Sequence, residues 1–154
     1  MRSYRYYVFF IMLTLLFGQF SLAKEKENVD IICLLSIDLE HLSKDNVQVS
    51  LILKNKTTES YRFLTWYTPF EGFYSDLFSI VGADGELLLY QGPMVKRLIP
   101  EDSDYMTIGP SESASIKLNL ANVYSFQSGQ YDISLKKRFK ALPFCNEQKL
   151  TIKL

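Results

Sequence analysis

Two cysteines, a single histidine and a cluster of carboxylates are the residues whose types invite chemistry. A Ser-His-Asp triad would have to rest on His41, which lies in a turn-like stretch next to Lys44 and Asp45. No serine stands in a Gly-x-Ser-x-Gly elbow, so His41 reads as a surface histidine and nucleophilic catalysis is not expected. There is no H-E-x-x-H, no glycine-rich phosphate loop and no EF-hand pattern. Glu101, Asp102 and Asp104 share one loop but lack calcium-ligand spacing, so they read as a solvated acidic turn. Cys33 and Cys145 have neither C-x-x-C spacing nor a histidine beside them, which leaves metal binding and thiol chemistry without support. In an exported chain such a pair is read as one disulfide. The chain is therefore expected to be no enzyme, with no catalytic residue, no metal and no cofactor.

What the sequence does concentrate is aromatic surface. Trp66, Tyr67, Thr68, Pro69, Phe70, Glu71, Gly72, Phe73 and Tyr74 put five aromatic rings into a segment that Pro69 and Gly72 bar from being a regular strand. Rings there either plug the core beneath a loop or form a binding surface. A second irregular stretch, 91–104, carries Lys96 and Arg97. Loops of this length in a compact domain are more often functional than idle.

The elements that must position these loops read as strands. Ile31, Cys33, Leu35, Ile37 and Leu39 share one face, as do Val47, Val49, Leu51 and Leu53, with residues 41–46 as a turn between them. Residues 77–81 and 86–90 flank Gly82-Ala83-Asp84-Gly85, whose Asp-Gly pair signals a hairpin. Ala114, Ile116, Leu118 and Leu120 alternate with polar residues, then Tyr131, Ile133 and Leu135, then Leu150, Ile152 and Leu154. Residues 121–126 alone suit a helical turn. Seven or eight short strands of this kind predict an all-β, two-sheet antiparallel β-sandwich, with a closed barrel as the alternative.

Length and charge bound the rest. The 154 residues suffice for one domain with one core. The charges balance at 17 basic and 17 acidic, which removes the electrostatic footprint of a nucleic-acid partner. Arg2 and Arg5, an apolar run over 6–17 and Ser21-Leu22-Ala23 have the order of a signal peptide, so the expected organisation is a leader over 1–23 and a single β-sandwich domain over 24–154. The run is shorter than the roughly 20 residues that span a bilayer, so no membrane insertion of the mature chain is expected. Localisation would be periplasmic or extracellular.

Several motifs together resemble a known family. Trp66-x-Thr68-Pro69-x-Glu71-Gly72, Ser75-Asp76-x-Phe78, Asp84-Gly85, Tyr90-x-Gly92, Val95-Lys96-Arg97, Pro100, Asp104-Tyr105, Tyr124 and Gly129-x-Tyr131 are similar to the amino-terminal prodomain of peptidyl-Lys metalloendopeptidases of the deuterolysin-like class. The resemblance runs over about residues 45–135 and implies an immunoglobulin-like propeptide domain of the kind that precedes a zinc protease domain. Two positions depart from that pattern, Ser111 and Asn119. The sequence ends at Leu154, where the zinc histidines would follow, so peptidase activity is not carried over as an expectation.

The expected function is an exported, non-catalytic, prodomain-like module that binds another exported protein, with a protease as the implied partner, acting as inhibitor or folding aid. Its contact surface is expected from Trp66, Tyr67, Thr68, Pro69, Phe70, Glu71 and Gly72 together with Lys96 and Arg97. The alternatives are a structural, envelope-associated β-sandwich and a carbohydrate-binding module that stacks sugars on Trp66 and Tyr67. Exposure of the Trp66 ring separates them.

Overall fold

The computed structural model describes residues 30–136, 142, 145 and 148–154. The leader expected over 1–23 and residues 24–29 lie outside the described residues. Alternation of apolar and polar side chains gives eight strands: β1 (Ile31–Ile37), β2 (Gln48–Asn55), β3 (Tyr61–Leu64), β4 (Phe78–Gly82), β5 (Tyr105–Ile108), β6 (Ser113–Asn119), β7 (Gln130–Leu135) and β8 (Lys149–Lys153). All pairings are antiparallel, in the orders β1-β2-β6, β3-β5 and β4-β7-β8.

The two three-stranded sheets give the expected sandwich. Ile31, Cys33 and Leu35 of β1, with Val49, Leu51 and Leu53 of β2, bury one side of each strand. Phe78, Ile80, Tyr131, Ile133, Leu135 and Ile152 do the same from the opposing sheet, and all but Ile31 join one apolar core. The order β1-β2-β6 against β4-β7-β8 is that of the A-B-E and C-F-G sheets of an immunoglobulin fold. A tyrosine corner marks the start of β7: the Tyr131 hydroxyl donates to the Gln127 carbonyl at 3.2 Å and accepts from the Gln127 N–H at 3.0 Å.

Cys33 and Cys145 are joined in a disulfide across a sequence separation of 112. It ties β1 to the segment before β8, unlike the inter-sheet bridge of antibody domains between the second and sixth strands of the seven-strand scheme. Nearby, the Gln148 carboxamide accepts from the Leu35 N–H and donates to the Cys33 carbonyl. One side chain thereby occupies backbone groups of edge strand β1, which would otherwise be open to pairing with another chain.

Two strands do not stand out in the alternation. β3 and β5 have only four residues each, too few for alternation to stand out. They continue the β2-β6 sheet past a bend held by Asn55, which sits at an inward register position and is fully buried. Its Nδ2 donates to the carbonyls of Glu59, Ile108 and Gly109, and its Oδ1 accepts from the Thr57 N–H and hydroxyl. The Asp84-Gly85 turn forms as expected: Gly85 takes φ +85° and Gly82 N–H bonds the Glu86 carbonyl. Beyond that bond, the second arm, 86–90, pairs through the Val81 to Leu87 bridge and the bond from Leu88 N–H to the Ile80 carbonyl, and forms no regular strand. The helical turn is shorter than the expected 121–126 and lies at Leu120–Asn122, capped by the Asn119 side chain.

Candidate functional site

The Thr-Pro-x-Glu-Gly motif folds as one capped 3-10 turn, Pro69–Glu71. Thr68 is its N-cap, accepting from the Phe70 N–H at 3.2 Å while its hydroxyl donates to the Thr65 carbonyl at 2.6 Å. Pro69 fits the first helical position because its missing N–H had no partner there. Gly72 ends the turn at φ +81°, a conformation that favours glycine. Ahead of the cap, Tyr67 sits at φ +58°, an uncommon backbone state for an aromatic residue. Its N–H bonds Glu71 Oε1 at 2.8 Å, which holds it there.

Glu71 is the hub of the site. Its side chain is only 5% exposed, so the carboxylate must be compensated from within the protein. Oε1 accepts from Tyr67 N–H and the Ser75 hydroxyl, and Oε2 accepts from Arg97 Nη2 at 2.5 Å. The Arg97 guanidinium also lies over the rings of Trp66 and Tyr74, with its carbon 5.2 and 5.7 Å from their centroids. One cation thus joins the aromatic segment to the second loop.

The second loop is fastened at further points. The Tyr90 hydroxyl lies 2.8 and 2.9 Å from the carbonyls of Phe73 and Pro93, which share its one proton, and Val95 N–H bonds the Tyr74 carbonyl at 3.1 Å. Tyr90 folds back over Gly92, where an added Cβ would stand 2.4 Å from the Tyr90 hydroxyl oxygen. That contact is the physical content of Tyr90-x-Gly92. The acidic cluster is structural: Glu101 and Asp104 bond each other's backbone as a capping box, and Asp102 pairs with Arg62 at 2.8 Å. The Glu101 N–H first, then the Trp66 indole, holds the Asp104 carboxyl below the ordinary carboxylate range. Trp66 Nε1 nevertheless makes no hydrogen bond of full geometry and is buried. His41 lies exposed, with Nδ1 3.2 Å from Asp38 Oδ2.

These positions revise the residue roles expected from sequence. Trp66 is 91% buried, and Thr68 and Pro69 are buried too, because the capped turn packs them inward. None of the three is an exposed anchor, so with the Trp66 ring buried the 66–74 loop is scaffold rather than contact surface, and a sugar-stacking platform of Trp66 with Tyr67 is not formed. Phe70 and Phe73 pack against the core, with Phe70 edge-on to Phe63 at 5.4 Å. Gly72 is half-buried at the end of the turn. Arg97 is a cross-loop tie rather than a free surface charge, its side chain 22% exposed. Tyr67, Tyr74 and Lys96 face solvent.

The outward surface comes from residues outside the expected contact set. Leu87, Leu89, Met94, Val95, Leu98 and Ile99 are all exposed, Leu98 at 92% and Ile99 at 86%. Beside Leu87 and Leu89 an open groove of about 460 Å³ runs along edge strand β4, lined also by Phe78, Tyr90, Leu135 and Lys136. Their composition was a usable signal: a Leu-Ile pair in a segment between Pro93 and Pro100, with no alternation to place it in a strand.

The chain is similar to an extracellular protease of Aeromonas hydrophila, 32% identical over 92 residues. The matched part is 59% of this chain and 26% of that protein, so the chain spans about a quarter of the length of the curated relative it matches. No family model matches the chain.

Proposed function

We propose that this protein is an exported, non-catalytic module related to a protease prodomain, and that it acts by binding a protease as an inhibitor or folding aid. The observation that carries the reading is the second loop: it is fastened through Arg97, Val95 and the Pro93 carbonyl, yet presents Met94, Leu98 and Ile99 outward. Large apolar side chains held in water by a fixed backbone are typical of an interface core waiting for its partner. Similarity to part of an extracellular protease supports both the partner class and export. The disulfide agrees with an oxidising compartment. Residues 66–72 then serve as the scaffold of the interface, and 94–99 as its surface.

The test is direct. Purified protein is titrated into the active Aeromonas hydrophila extracellular protease, with complex formation followed by calorimetry. The same mixture is assayed for inhibition, and for recovery of activity when the protease is refolded from denaturant. A complex with either effect is expected. Absence of a complex at tens of micromolar would remove the binding reading and leave a structural sandwich.

A further inference from the structure

Within 93–100 every residue is exposed except Arg97. Its neighbours therefore point away from the body of the domain while their backbone is held from behind. The Pro93 carbonyl accepts from Tyr90, Val95 N–H bonds Tyr74, Arg97 is gripped by Glu71 and lies over the Trp66 ring, and Glu101 begins a capping box. A segment fixed at four places and bare between them loses little conformational freedom when a partner closes over it, which is the condition for tight binding by a short stretch.

We infer that residues 94–99 enter the substrate cleft of the protease partner as a peptide would, with Leu98 and Ile99 filling apolar subsites and Lys96 meeting an acidic group. This rests on the binding reading above and assigns its contact. Two features choose a cleft over a flat protein surface. The segment has no strand or helix of its own, so apart from the Val95 N–H, which bonds Tyr74, its backbone groups are not taken up by a ladder and suit an extended-peptide site. Leu98 and Ile99 are almost wholly bare, more than any other large apolar side chain among the described residues, which suits pockets that enclose a side chain from all sides. A lipid surface suits the segment less, since Lys96 is the only cation it exposes and one such charge adds little attraction to anionic headgroups.

The experiment measures hydrolysis of a small peptide by the active Aeromonas hydrophila extracellular protease against rising amounts of the protein. Competitive inhibition is expected, KM rising with kcat unchanged. Leu98→Asp with Ile99→Asp should weaken it by about 30-fold or more, the loss of at least one interface anchor. Leu39→Asp, an exposed apolar site in another segment, should leave it unchanged. Melting temperatures of both variants should match the parent, since the replaced side chains are exposed. A complex that forms without competition, or competition indifferent to the double variant, overturns the cleft assignment and leaves the binding reading standing. Failure to bind at all overturns both. Binding to phosphatidylglycerol vesicles that the double variant abolishes, with no effect on peptide hydrolysis, overturns it in favour of a membrane surface.

Discussion

Replacing Arg97 by alanine should unfold this domain far more readily than a surface change would. The substitution leaves the Glu71 carboxylate, 5% exposed, with only the Tyr67 N–H and the Ser75 hydroxyl, and removes the cation from over Trp66. Breaking a fully buried ion pair costs about 3–5 kcal/mol and breaking an exposed one at most about 1. With 22% of the Arg97 side chain in solvent, the value belongs between these limits, at about 2–3 kcal/mol. For a domain of this size that corresponds to a fall in Tm of about 6–15 °C by calorimetry. The double variant Arg97→Ala with Glu71→Gln should recover part of the loss, because Gln keeps an acceptor for Tyr67 N–H without a stranded charge. The reasoning fails if Arg97→Ala alone shifts Tm by less than about 2 °C, or if the double variant is less stable than the sum of the two singles.

Other outcomes follow from polar groups inside the fold. Asn55→Ala removes the partner of three carbonyls and of Thr57, and should cost about 2–4 kcal/mol, read as a lower urea midpoint with unchanged slope. Tyr124 is buried and donates to Asp76 Oδ1 at 2.9 Å; burial first, then the hydrogen bond to Asp76 and its charge, pushes the phenol well above its ordinary value near 10. The folded state therefore keeps that proton where the unfolded chain releases it, so the contribution is complete below pH 10 and is lost progressively as pH rises above it. Tyr124→Phe should flatten the fall in stability above pH 10, measured by urea titration between pH 8 and 11.5. An unchanged alkaline slope would refute the assignment.

Most of the sandwich was legible because both inner faces are built from strict alternation, which a two-residue period carries without ambiguity. The disulfide was legible from cysteine count and the expectation of export. What stayed hidden depends on contacts made across sequence. Glu71 and Arg97 are 26 residues apart in two irregular loops, where a charge is by default read as solvated. Nothing local says that one of them is buried and the other reaches to it. The same default made Trp66 look available for binding, although Thr68, Pro69 and Gly72 already specified a capped turn.

Asn55 was within reach of the sequence. It continues the register of Val49, Leu51 and Leu53, so alternation itself places a carboxamide on the buried face. A polar side chain at an apolar register position has to find partners, and here it finds them where β2 gives way to β3. Leu98 and Ile99 break the complementary rule, two large apolar side chains on a segment that no strand ladder or core holds. Buried surface elsewhere explains why the domain folds, but nothing in folding asks these two to be apolar. Their exposure is tolerated because Glu71 and Arg97 hold the backbone that carries them. The hub thus contributes stability while hydrophobic surface is left open at the rim, an arrangement that agrees with the binding reading proposed above.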